Sequence, residues 1–134
     1  MMTRASVIQQ IEQYFDQNQF FSDLRRRVGI PTESQVPDRS VELHRYLQDE
    51  IATELAGMGF TYTIENNPVV GGGPVLIAHR EEDPASTTVL TYGHGDVVQG
   101  YDDQWRRDLS PWVLTRDGDR WFGRGSADNK GQHT

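Results

Sequence analysis

The stretch Thr87-Thr88-Val89-Leu90-Thr91-Tyr92-Gly93-His94-Gly95-Asp96 decides how this chain is read. Its first six residues are apolar or β-branched without alternation, as in a strand covered on both faces. The run ends in two glycines, an imidazole and a carboxylate. Open α/β sheets place their ligand sites at the carboxyl ends of strands. His94 and Asp96 stand two residues apart, so in an extended chain both point the same way. The Asp96 carboxylate can then accept from one ring nitrogen and leave the other for a metal. Gly93 and Gly95 give the backbone freedom and a ligand room to approach. Taken alone, the tripeptide reads equally as a strand-end histidine that satisfies a turn.

Working outward, Pro74-Val75-Leu76-Ile77-Ala78 is a second continuous apolar run, and Phe60, Tyr62 and Ile64 alternate with polar neighbours as a half-buried strand. Asp117-Gly118, between Trp112–Thr115 and Arg120–Phe122, is a hairpin signal. The first half of the chain has helical spacing instead. Val7, Ile8, Ile11, Tyr14 and Phe15 form one apolar stripe, which Phe20, Phe21, Leu24 and Val28 resume after a polar break at Asp16–Gln19. Gly29-Ile30-Pro31 ends that segment. Arg25-Arg26-Arg27 falls in its last turn, where cations suit the helix macrodipole. A third helix starts after Ser40, with Val41, His44, Leu47, Ile51, Leu55 and Met58 on one face and Gly59 closing it. The expected fold class is α/β, with helices packed on a mixed, partly parallel sheet.

The chain has 134 residues and a formal charge of −7, from 13 Lys+Arg against 20 Asp+Glu. That length predicts one domain at most, and the acidic balance disfavours nucleic acid or an anionic membrane surface as a partner. Without cysteine there is no disulfide, no thiolate metal site and no cysteine nucleophile. Any metal must therefore be held by His, Asp or Glu. Neither a signal-peptide pattern nor an apolar run of membrane-spanning length is present, so a cytoplasmic location is expected.

A second candidate is Gly123-Arg124-Gly125-Ser126-Ala127-Asp128-Asn129-Lys130-Gly131. As a dinucleotide fingerprint it fails, because Asp128 occupies the third glycine position, and no phosphate-loop pattern can be drawn through it. An Asp among small residues after a strand is well placed as a metal ligand that can bridge two cations. The same residues also suit a surface loop with an Asx turn.

Together the two loops resemble the first two metal-ligand motifs of the co-catalytic di-zinc metallopeptidases. That family includes aminoacylases, carnosine-type dipeptidases, acetylornithine deacetylases and succinyl-diaminopimelate desuccinylases. Gly93-His94-Gly95-Asp96-Val97-Val98, Trp105, Pro111-Trp112, Asp117-Gly118 and Phe122 through Gly131 match the family pattern in order. Gly95 stands where Tyr or Thr is frequent, and Trp112 where Phe is usual. The resemblance implies His94 as a terminal metal ligand and Asp128 as the bridging carboxylate. It counts Asp96 with the catalytic groups, because it orients and polarises His94, and implies loop-supporting roles for Arg124 and Lys130. It also implies a cis peptide at Asp128-Asn129 and two divalent metal ions, zinc first, with cobalt or manganese also suited to His/Asp ligation.

In that family the general-base glutamate and the remaining ligands lie beyond the Asp128 motif. Residues 1–134 are therefore expected to be an incomplete N-terminal part of a catalytic domain, with the lid domain and C-terminal part absent. Such a fragment is expected to be inactive alone, to hold at most one ion weakly, and to self-associate through uncovered apolar strands. The parent reaction would be hydrolysis of a peptide or N-acyl amino-acid amide bond. The alternative is a non-catalytic binding or assembly module. Glu81-Glu82-Asp83 reads as a polar hairpin loop. His133 falls near the site without being a family ligand, although a small enzyme using His94, Asp128 and His133 is a third reading.

Overall fold

The computed structural model describes residues 3–134. Two helices, α1 (Arg4–Asp16) and α2 (Gln19–Val28), form an antiparallel hairpin. Thr3 caps α1 in a reciprocal box with Ser6, and Asn18 turns the chain with φ 59° at the expected polar break. The hairpin is fastened where the Tyr14 hydroxyl donates to Asp23 at 2.7 Å. Helix α3 (Ser40–Arg45) widens into a π-helical stretch over Tyr46–Ala52 and finishes as α4 (Thr53–Gly57). Gly59, at φ 83°, then releases the chain into strand.

Two antiparallel hairpins make up the sheet structure. Strand β1 (Thr61–Glu65) pairs with β2 (Val75–His79), in the register Thr63 opposite Ile77. Strand β3 (Thr115–Asp117) pairs with β4 (Arg120–Phe122) around Gly118, whose φ of 60° suits the expected tight turn. The core lies between α2 and this second hairpin. Leu24, Val28 and Leu114 are buried there, with Phe20, Phe21 and Trp121 packed against them. Trp121 stacks on Phe15 at 5.7 Å and meets Phe21 edge-on at 5.1 Å.

The α/β class stands, with three differences in detail. Among the described residues, parallel pairing is confined to a single bridge between Glu33 and Val97. The Thr87–Tyr92 run joins no ladder among the described residues, and its side chains are exposed. In β2 only Leu76 and Ala78 turn inward, so that run is covered on one face. Each difference has one cause: an apolar run becomes a doubly covered strand only if neighbours reach both its edges and faces.

The third helix also turns a different face inward. Val41 and Met58 are 70% and 52% exposed and His44 is exposed, whereas Tyr46, Glu50 and Ala52 are buried. Arg26 and Arg27 explain this. The Arg26 Nε donates to both Glu50 oxygens at 2.8 and 2.9 Å, and Arg27 lies 3.7 Å from the same carboxylate. The arginines sit in the last turn of α2 as expected, but they do more than balance its dipole: they draw an acidic helix face inward. No helix among the described residues is long and apolar enough to cross a membrane.

Candidate metal centre

His94 and Asp128 arrive from loops 34 residues apart, and different parts of the chain hold each one. The His94 segment is stitched to the stretch after α2. Thr32 donates its hydroxyl to the Gly95 carbonyl at 2.5 Å, Val97 N–H donates to the Thr32 carbonyl at 2.8 Å, and Ser34 N–H donates to the Val97 carbonyl at 3.4 Å. Gly100 N–H donates to the buried Glu33 carboxylate at 2.8 Å. Just beyond, the Arg124 guanidinium donates to the Gly100 carbonyl at 3.2 Å and lies over the Trp105 ring.

The Asp128 loop is pinned by Lys130. Its ammonium is fully buried and donates to the Arg27 and Ile30 carbonyls at 2.9 and 2.6 Å, over the Tyr46 ring. Burial pushes its pKa down to about 7 against the opposing pull of Glu50. These carbonyls lie at and just past the C-terminal end of α2, where each also accepts a backbone N–H, so the loop closes on the helix end that its own ammonium caps. The loop folds tightly enough that a side chain at Gly131 would strike the Ser126 carbonyl, and Gly125 has φ 81°. The Asp128–Asn129 peptide is cis.

The two loops meet at His94. Its Nδ1 lies 3.1 Å from the Asp96 carbonyl and 3.2 Å from the Asp96 carboxylate, both of them acceptors, so Nδ1 carries a proton. Its Nε2 faces the Asp128 carboxylate at 3.1 Å. With Nδ1 committed as a donor, Nε2 of a neutral ring and the Asp128 oxygen are both lone pairs. Two lone pairs hold that separation only with something positive between them, either a proton or a cation. The electrostatics agree. Desolvation works against a charged ring, but the Asp96 carbonyl and the Asp96 and Asp128 carboxylates outweigh it, and the His94 pKa rises.

The donor set suits a divalent ion. Imidazole nitrogen and carboxylate oxygen each sit about 2.1 Å from zinc, which puts two tetrahedral ligands about 3.4 Å apart. The observed 3.1 Å is within a few tenths of that. Asp128 is exposed and His94 is 34% exposed at the side chain, so an ion has an open approach. No group of three or more metal-ligating side chains converges among the described residues.

Elsewhere, Glu82 pairs with Arg80 and Asp83 caps its own turn, as a polar loop should. Trp105, Phe122 and Arg124 line a surface cleft of about 390 Å³ that includes neither His94 nor Asp128. His133 does reach the neighbourhood, but both its ring nitrogens are engaged, with Asn129 and with Tyr46. It is therefore no third ligand. Sequence reasoning missed Tyr46, Asn129 and Thr32. The usable signal was Gly95, where any side chain would run into the Tyr46 ring. The room that Gly95 leaves is taken by Tyr46.

Comparison with known proteins bears directly on these loops. No family model matches the chain. The Cys-Gly metallodipeptidase DUG1 of Candida albicans is 30% identical over 126 residues, 84% of this chain and 25% of that protein. The human Beta-Ala-His dipeptidase is 31% identical over 138 residues, covering 94% of this chain and 27% of that protein. The solved structure of the dipeptidase Dug1p from Saccharomyces cerevisiae superposes with a TM-score of 0.77 at 29% identity, over 96% of this chain and 28% of that one. Over most of its length the chain is similar to metallodipeptidases. It spans about a quarter of the length of the curated relatives it matches. Metallodipeptidase relatives imply use of a divalent metal, and the donors that face each other here are His94 Nε2 and the Asp128 carboxylate.

Proposed function

We propose that this chain is the N-terminal part of the catalytic domain of a metal-dependent hydrolase acting on a dipeptide or N-acyl amino-acid amide bond. His94 Nε2 and the Asp128 carboxylate hold the metal, with zinc the first candidate. The observation that carries this reading is the 3.1 Å approach of His94 Nε2 to the Asp128 carboxylate, within a few tenths of the spacing of two ligands on one tetrahedral zinc. Bound divalent ions in such a site supply Lewis-acid polarisation of a carbonyl and of water. The chain's own residues do the rest of what can be derived. Asp96 fixes the ring so that Nε2 points at Asp128, Arg124 ties the loop to Gly100, and Lys130 ties it to α2. The two-metal family pattern and the dipeptidase names of the relatives support the substrate class.

With two donors, residues 1–134 alone hold one ion weakly and do not turn over. Copies of the chain associate through the exposed apolar run at Val89, Leu90 and Tyr92. Calorimetric titration of Zn²⁺ into the 134-residue chain, beside His94→Ala and Asp128→Ala, tests the site. Saturable one-site uptake that disappears in both variants is the expected result. Uptake that survives both substitutions overturns the assignment.

A further inference from the structure

Tyr46 is one of the most deeply buried side chains, yet its hydroxyl is not idle. It sits 2.5 Å from His133 Nε2. The other ring nitrogen, Nδ1, is 2.9 Å from the Asn129 side-chain carbonyl. That same oxygen accepts the backbone N–H of His94 at 3.1 Å. The polarity of the chain is fixed end to end. The Asn129 amide is oriented, because its NH₂ donates to the Gln132 side-chain carbonyl. Its Oδ1 can only accept, so His133 Nδ1 carries the proton. His133 Nε2 is then a lone pair, and the Tyr46 hydroxyl must donate to it.

We propose that His133 is a positioning residue for the metal ligand His94, acting through Asn129, which sets its tautomer, with Tyr46 closing its other ring nitrogen. The proposal rests on the reading of His94 and Asp128 as ligands. Asn129 follows Asp128 directly, so this one amide oxygen ties the backbone of the first ligand to the loop that carries the second. His133 is itself clamped, because the Arg27 guanidinium donates to its backbone carbonyl at 2.8 Å. Burial, together with the charges of Arg27, Lys130 and His94, holds the ring neutral and pushes its pKa down to about 4. Gly95 completes the device: the Tyr46 ring lies where a side chain at position 95 would be.

The test uses the whole 134-residue chain, titrated with Zn²⁺ by calorimetry and followed without metal by ¹⁵N NMR of ring and amide nitrogens. His133→Ala should weaken Zn²⁺ binding about tenfold, the lower end of what outer-shell ligand partners contribute, and move the His94 amide resonance. His133→Asn places an amide N–H where Nδ1 stood and should recover binding to within about threefold, which a purely space-filling role would not predict. Tyr46→Phe keeps the ring, leaves the proton on Nδ1 and removes only the donor to Nε2, so it should weaken Zn²⁺ binding less than His133→Ala while shifting the Nε2 resonance; it carries the comparison if His133→Ala does not fold. Wild-type affinity in His133→Ala, no recovery in His133→Asn, or a wild-type proton on Nε2 each overturns the proposal. A wild-type chain that takes up no Zn²⁺, yet shows the amide shift and its recovery, defeats the ligand reading and leaves the positioning link standing.

Discussion

His94 divides its own segment into two unequal flanks. Downstream, Gly95 to Val97 is held by Thr32 and Ser34, and Val97 is buried. Upstream, Val89, Leu90 and Tyr92 are 79%, 94% and 89% exposed and pair with no strand among the described residues. The sequence suggests the opposite. The upstream run is the more hydrophobic and the downstream one is mostly small and polar. Hydrophobicity states what a segment needs, whereas order depends on what is available to meet the need. Downstream, buried polar groups supply it: Thr32, Glu33, Lys130 and Arg27 close on backbone atoms with defined geometry. A ligand loop built in this way is ordered by local hydrogen bonds before any large apolar surface covers it.

The largest expected effect lies on the held side. Lys130→Met removes two hydrogen bonds from a buried ammonium, to the Arg27 and Ile30 carbonyls, and leaves each carbonyl with backbone N–H partners alone. A loss of about 3–5 kcal/mol follows, a large share of the roughly 5–15 kcal/mol that stabilises a typical domain. Urea unfolding measures it directly. A shift below about 1 kcal/mol would mean that the loop is held by something other than this ammonium, and the contrast between the flanks would collapse.

What could be read in the sequence follows the same division. The two loops were legible as a pair: the structure brings His94 Nε2 within 3.1 Å of Asp128 and Asp96 against Nδ1, while Arg124 and Lys130 tie the second loop to backbone carbonyls. The helices α1 and α2 were legible from periodicity, from the polar break at Asn18 and from Gly29-Ile30-Pro31. The inward face of the π-helical stretch Tyr46–Ala52 was not. Periodicity picks out apolar residues, and here the inward face carries Tyr46 and Glu50, drawn in by arginines of another helix. Nor could the role of His133 be read locally, since its hydroxyl partner lies 87 residues away. Strand pairing of Thr87–Tyr92 depends on neighbours that no local pattern identifies.

An intermediate effect should appear with acid, again on the held side. Burial and the nearby Arg27, Lys130 and His94 charges depress the folded His133 pKa from 6.5 to about 4. Between those values the unfolded chain binds a proton that the folded chain refuses. His133 therefore costs no stability above about pH 6.5 and progressively more as pH falls toward 4. Carboxylates contribute their own acid dependence, so the informative quantity is a difference. The melting temperature of His133→Asn should fall less steeply than wild type across that window and run parallel to it above. Parallel curves throughout would place the His133 ring in water.

The smallest expected effect is on the bare flank, and there the comparison is most easily broken. Leu90→Ser in a segment this exposed should change unfolding free energy by no more than about 0.5 kcal/mol, even though leucine to serine is a drastic change of character. In a strand covered on both faces the same substitution would cost several times as much, through lost burial and an unpaired hydroxyl. The substitution should instead show in association, because the exposed Val89, Leu90 and Tyr92 are the surface proposed to bring copies of the chain together. Sedimentation velocity should report less self-association for Leu90→Ser at equal concentration. If Leu90→Ser destabilises the monomer as much as Lys130→Met does, the upstream flank is packed after all. Order around His94 would then come from hydrophobic cover, with the polar stitching secondary. If stability holds and association falls, the same exposed leucine that contributes nothing to the folded chain is what draws a second chain to it.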